Sequence, residues 1–449
     1  MTTLHLAGKG KGFSQDVPSW RRAMQEQLAE AQPLTVCGRV VEARGTLVRV
    51  AGLVANIGDL CELSMPDQSV RMAEVIGLAD ESALLMPHGD LTGMGIGMAV
   101  RPLGRGHHIS VGDGLLGRVL DGLGQPIDGL GPLNCDRTTP VVGAAPSPLA
   151  RRPIDRIFQT GVKAIDALTT LGEGQRIGVF APAGVGKSTL ASMLVRAADV
   201  DVCVVALIGE RGREVGEFIR HTLGEQGLKR TVVVAATSDS SAAERVKSAS
   251  VATAVAEDFR DRGKRVLLIM DSVTRFARAL RELGLASGEP PTRRGFPPSV
   301  FAALPCLLER AGQGEKGSIT AIYNVLVEDD DDPIAEEVRS ILDGHIVLSK
   351  ALSQQGLFPA IDLLASLSRL MPVITTQAQR DAVARIRTWL AKYREIELLL
   401  QVGEYQAGSD PVADKAIEKY PQIRSFMAQS SESSEPVAAS LKALMELAR

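Results

Sequence analysis

Aromatic residues are scarce in this 449-residue chain, at 4%, and none falls between Trp20 and Phe158. Barrel proteins that hold single-stranded nucleic acid stack its bases on aromatic rings, so this stretch has no platform for them. Charge of one sign is lacking too: the net charge of −3 leaves no basic footprint for a polyanion. Cysteine is sparse, and Cys37, Cys61, Cys135, Cys203 and Cys306 lie far apart, without a CxxC pair or metal-ligand spacing. That excludes a disulfide framework and points to reduced thiols in the cytoplasm. The one histidine pair, His107 and His108, would face opposite sides of a strand and so cannot share a metal. No run of eighteen apolar residues and no signal-type leader is found, so the chain is expected neither to cross nor to pass through a membrane. No GxSxG elbow marks a serine hydrolase.

What is present falls into four textures. Residues 1–33 read as a flexible Gly/Lys-rich arm followed by an amphipathic helix, in which Trp20, Met24, Leu28 and Ala31 recur at helical spacing. That helix could lie on its own barrel, on a partner or on a membrane surface. Residues 34–101 carry short β-branched runs broken by glycine, the pattern of a small closed barrel. Over 102–375, continuous apolar strands such as "DVCVVALIG" and "RVLLIMD" alternate with helical stretches, which predicts a parallel sheet covered on both faces. Residues 376–449 are helical.

The chemistry concentrates in the sheet region. In "RIGVFAPAGVGKSTLASMLV", Arg176 to Val195, a buried strand turns through small residues into a helix. Gly184 and Gly186 permit the backbone angles that aim successive N–H groups at an anion. Lys187 would place its charge on the β- and γ-phosphates of ATP, and Ser188 its hydroxyl on Mg²⁺; Ala183, Val185 and Thr189 complete the ATP-binding loop. The leading glycine of such loops is replaced by Ala181. Ligands of parallel sheets sit beyond the carboxyl ends of the strands, which singles out two acidic strand ends. Asp271 ends "RVLLIMD", where it would face Mg²⁺ through water or cap the helix that follows. Glu210 ends "VVALIGE" and could polarise an attacking water while Arg211 stabilises phosphate charge, unless the two belong to a surface ion-pair network.

Five separated motifs carry a resemblance over residues 35–449: "FAPAGVGKSTL", "ALIGERGREVGEFI", "VLLIMDSVTRFARA", "EPPTRRGFPPSVFAALPCLLERAG" and "GLFPAIDLLASLSRLMP". In this order they resemble the ATPases of type III protein secretion, a family of injectisome and flagellar export ATPases related to the rotary F- and V-type enzymes. The resemblance implies a multidomain α/β fold: an N-terminal small β-barrel, a central RecA-like P-loop NTPase domain and a C-terminal helical domain. It places an adenine-stacking ring at Phe358 and an arginine finger, acting on a neighbour's site, at Arg369, hence a homohexamer. It further implies ATP hydrolysis coupled to chaperone release, unfolding and export of secreted proteins, more in the manner of an injectisome than of a flagellum. The partners it implies are a central stalk protein, a peripheral stator or regulator, chaperone–cargo complexes and a membrane export gate, with the chain cytoplasmic and peripheral to the inner-membrane apparatus. A rotary catalytic subunit, an RNA-translocating ring and a non-hydrolytic ring are the other readings. The proline-rich loop Ala286 to Ser299 is expected to present Arg293 and Arg294 to the ring's centre or to pair them locally, and the acidic run Glu328 to Pro333 to be a solvated loop.

Overall fold

The computed structural model describes Met24 and residues 36–79, 81–329 and 331–449. The arm and helix expected over 1–33 lie outside the described residues, Met24 apart. Six antiparallel strands, β1 (Gly38–Arg44), β2 (Leu47–Ala51), β3 (Leu60–Ser64), β4 (Val70–Ala79), β5 (Ser82–Pro87) and β6 (Ala99–Pro102), close into a barrel of order β1-β2-β5-β4-β3-β6. Their alternating apolar residues, among them Val48, Val50, Leu63, Val75 and Leu85, fill its interior. Closure falls where Gly38 of β1 meets Val100 of β6, and a Cβ on Gly38 would stand 2.5 Å from a Val50 methyl. Only glycine lets the seam shut.

The chain then forms an antiparallel pair, β7 (His108–Val111) with β9 (Arg137–Pro140), and lays β8 (Val119–Leu120) on the edge of the large sheet. That sheet also contains β10 (Arg176–Ala181), β11 (Val202–Glu210), β12 (Thr231–Thr237), β13 (Arg265–Asp271), β14 (Gly312–Gln313), β15 (Ser318–Leu326), β16 (Gly344–Val347) and β17 (Leu367–Ser368). Its order is β17-β16-β10-β15-β13-β11-β12-β8, parallel except for the edge strand β17 and for β14, which pairs with β15. Side chains alternate across each strand, so one face packs Tyr323, Leu268 and Val204 against Phe259 and Phe276 of two helices. The other packs Val179, Ile322 and Ile269 against Leu190 and Leu194 of the helix Lys187–Ala197.

The last three helices, Gln377–Gln401, Pro411–Met427 and Val437–Leu447, bury Ile386, Ile423 and Leu444 against Ala167 and Leu168 of the sheet domain. Thr376 and Asp410 start the first two by accepting hydrogen bonds from first-turn N–H groups.

Glu328, Asp329 and Asp331 of the acidic run are exposed, in keeping with a solvated loop, and the run also makes surface contacts. Glu328 pairs with Arg278 at 2.8 Å, Asp329 pairs with Arg294 at 2.7 Å, and Asp332 caps the helix Pro333–Ile341. The carboxylates clamp the proline-rich loop through Arg294, and the Arg293 guanidinium lies 5.7 Å from the Phe301 ring centre.

The barrel docks through Leu47 and Met86, which pack on Ala242, Ala243, Ala279 and Leu283. Inside this joint Glu74 and Lys247 form an ion pair, 8% and 5% exposed. Truncating one member of such a pair strands the other charge in a dry interface, at a cost of about 3–5 kcal/mol. Glu74→Ala is therefore expected to lower the melting temperature markedly in thermal unfolding, with recovery when Lys247→Met is added. A single variant that melts like the parent would show that this pair does not hold the joint.

Candidate active site

The P-loop begins where β10 ends. Ala181 is fully buried, lies in register with Leu326, and its carbonyl accepts from the Val327 N–H at 3.1 Å. It is a strand residue, which is why the position does not require glycine. Gly184 (φ 78°) and Gly186 (φ 92°) do adopt left-handed angles. Gly186 caps the helix Lys187–Ala197 without any side chain bonding the first turn, so its N–H groups remain for an anion.

Lys187 Nζ meets Asp271 Oδ1 at 2.5 Å. Asp271 is 5% exposed and ends β13; the cap of the next helix is Ser272, whose hydroxyl accepts from the Arg275 N–H. The carboxylate is thus free of the capping role. Glu210 ends β11, where Gly209, at φ 67°, breaks the register and turns the side chain toward the cleft. Burial pushes its carboxyl up to about 7, helped by the charge of Asp271 and a hydrogen bond to Glu214. The Glu214 carboxyl is held low, first by that same bond. A cleft of about 350 Å³ opens here, lined by Ser188, Glu210, Glu214, His221, Thr222 and Asp271.

Arg211 is not aimed into this cleft: its side chain is 75% exposed and pairs with Glu214 at 3.1 Å. The guanidinium that meets Glu210 belongs to Arg275, which donates to the Gly209 carbonyl and, at 3.2 Å, to Glu210. Arg275 and Glu214 did not emerge from the motifs. For Arg275 the available signal was its position one helical turn beyond Asp271 in "DSVTR".

Phe358 is exposed, and its ring edge would lie 3.7 Å from a Cβ on Gly186. Its carbonyl accepts from the Gln429 N–H at 2.9 Å, so the helical domain backs the ring's position. Arg369 is exposed at the sheet edge, its N–H donating to the Asp343 carbonyl, and Asp343 is level with Arg176 at the start of β10. The P-loop leaves from the other end of that strand, about 16 Å away at ~3.3 Å per residue, so Arg369 cannot reach the P-loop of its own chain.

A parallel sheet with a phosphate loop on β10, a strand-end carboxylate on β13, a barrel before it and helices after it defines a P-loop nucleotide hydrolase of the ATP synthase type. Residues 40–104 match the β-barrel domain of the ATP synthase alpha/beta family and residues 161–368 its nucleotide-binding domain. Residues 375–446 match the T3SS EscN ATPase C-terminal domain. The type 3 secretion system ATPase of Xanthomonas euvesicatoria is 55% identical over 420 residues, 93% of this chain and 95% of that one. The flagellum-specific ATP synthase of Treponema pallidum is 48% identical over 408 residues, 90% and 91% of the two chains. The assembled ATPase EscN of the enteropathogenic E. coli type III secretion system superimposes with a TM-score of 0.88 at 47% identity, over 92% of this chain and all of EscN. EscN in complex with its central stalk EscO gives 0.85 at 46% identity, with the same coverage. The chain belongs to the type 3 secretion system ATPase family and is an ATP-hydrolysing enzyme. Among the described residues no helix is long and apolar enough to cross a membrane.

With Glu210 largely protonated below neutrality, kcat/KM for ATP is expected to show an acid limb near pH 7, rising as the carboxylate forms. Glu214→Leu removes the acceptor that keeps the proton on Glu210 and is expected to move the limb to lower pH. A limb unmoved in a pH–rate profile of that variant would detach it from this pair.

Proposed function

We propose that this chain is the injectisome ATPase, a homohexamer in which each site is completed by the next subunit. The observation that carries the reading is the Lys187–Asp271 contact beneath two left-handed glycines. The lysine here neutralises a buried carboxylate, and on binding ATP it turns to the β- and γ-phosphates. The N–H groups at Ala183, Gly184, Val185 and Gly186 and the first helical turn, with Ser188 and Thr189, bind the phosphates, and the Phe358 ring stacks on adenine. Ser188 and, through water, Asp271 would hold Mg²⁺, a hydroxyl and a carboxylate suited to a hard cation, which when bound offsets phosphate charge. Glu210 takes a proton from the attacking water as that water's oxygen bonds to the γ-phosphorus and the bond to ADP breaks. Arg275 keeps Glu210 in place, and Arg211 must leave Glu214 to meet the phosphates.

Arg369 acts in trans, since its place just past the edge strand removes it from its own P-loop. The assembled state of EscN supports a ring, and its complex with EscO supports a central stalk. The identity of 55% to an injectisome-type relative, against 48% to the flagellar one, supports the injectisome over the flagellum. Hydrolysis then serves chaperone release, unfolding and entry of cargo into an export gate, with a peripheral stator holding the ring at the cytoplasmic side of the inner membrane. Domain limits at 33/34, 101/102 and 375/376 complete the proposal.

Lys187→Ala and Arg369→Ala are each expected to abolish turnover in well-formed rings. Mixed in equal amounts, roughly a quarter of the interfaces combine an intact P-loop with an intact finger, so activity should reappear. A steady-state ATPase assay that finds such mixtures as inactive as their parents would remove the trans role of Arg369.

A further inference from the structure

Asn324 lies at the centre of the sheet and is 1% exposed, and its Nδ2 has no hydrogen-bond partner among the described residues. A buried amide donor left unpaired is costly, so its place in the fold matters. On β15 it is in register with Asp271 of β13 on one side and Val179 of β10 on the other. Alternation puts Asn324 on the face of Ile322 and Asp271 on the face of Ile269, and both of those pack beneath the P-loop helix. Side chains in register on adjacent parallel strands stand about 4.8 Å apart, so the free amide and the carboxylate are immediate neighbours.

Among the described residues, the cation paired with Asp271 is Lys187. Once the phosphates of the substrate claim that lysine, a carboxylate 5% exposed loses its direct charged partner, would face Mg²⁺ only through water, and retains spare acceptor capacity. Resting on the P-loop reading of Lys187 and Asp271, we propose that Asn324 is a positioning residue: its Nδ2–H takes over Asp271 as Lys187 departs and holds the carboxylate in its working orientation. The unpaired donor is then satisfied as nucleotide binds, so its hydrogen bond favours nucleotide binding and turnover.

Asn324→Leu keeps the branched shape and the number of heavy atoms and removes the donor. Its melting temperature without nucleotide is expected to equal or exceed the parent's, because an unpaired polar group has been removed. The Mg²⁺ concentration needed for half-saturated binding of a fluorescent ATP analogue should rise about tenfold, and kcat should fall by about ten- to a hundredfold, the range for a hydrogen bond to a charged group. Asn324→Thr, which restores a donor, should recover part of both. Parental Mg²⁺ dependence and kcat in Asn324→Leu would overturn the proposal. So would a lowered melting temperature with losses that Asn324→Thr does not repair, which is the signature of a packing role. Lys187→Ala, assayed alongside, separates the two levels: turnover in that variant removes the site reading and this inference with it, whereas an inactive Lys187→Ala beside a normal Asn324→Leu removes the inference alone.

Discussion

The parallel register of β10, β15, β13 and β11 determines where this molecule can carry charge in its interior. Both faces of these strands are covered, so their side chains are apolar along most of their length and the charged groups stand at the ends. At the carboxyl end the register sets Ala181 beside Leu326, Asn324 beside Asp271 and Asp271 beside Leu207. The loops that leave there must satisfy two acidic groups in a dry setting. Lys187 does so for Asp271 and Arg275 for Glu210. A buried ion pair is costly to break unless another partner arrives, which makes the Lys187–Asp271 contact a placeholder that triphosphate can replace.

The other two domains act on this edge from outside. The barrel is fastened by the Glu74–Lys247 pair to the helix Ala242–Asp261, which packs on β11, β12 and β13. The helical domain reaches the opposite side, where Gln429 bonds to the backbone of Phe358 and, through its side chain, to Lys163 and Gly161. Gln429 thereby ties the backbone at Phe358 to the seating of the C-terminal helices. The edge strand β17 runs antiparallel to its neighbour and carries Arg369 to the wrong end of the sheet for its own P-loop. In the proposed ring, an arginine finger placed there would serve catalysis only when subunits adjoin.

Much of this could be read from local sequence, because the physics involved is local. Strands buried on both faces leave unbroken apolar runs, and a phosphate loop needs glycine at positions of positive φ, both visible in residues 176–195. The departure at Ala181 was equally local, since a strand residue has no need of left-handed angles. What escaped is what depends on register and on helical direction. Arg211 adjoins Glu210 in the chain yet points to Glu214 and solvent, while Arg275, 65 residues away, supplies the contact. Asn324 looks like an ordinary polar interruption of a strand until β13 is placed beside it. The surface pairs of the acidic run escaped because their partners, Arg278 and Arg294, lie on a different helix and loop.

The central claim is that a site divided between subunits hydrolyses ATP. Its most direct test is specific ATPase activity measured across a dilution series, with the mass of the species followed by sedimentation. The account predicts that activity per chain falls with the assembled fraction and vanishes in the monomer, since no monomer contains both Lys187 and a reachable Arg369. Constant specific activity down to concentrations at which only monomer sediments would contradict it.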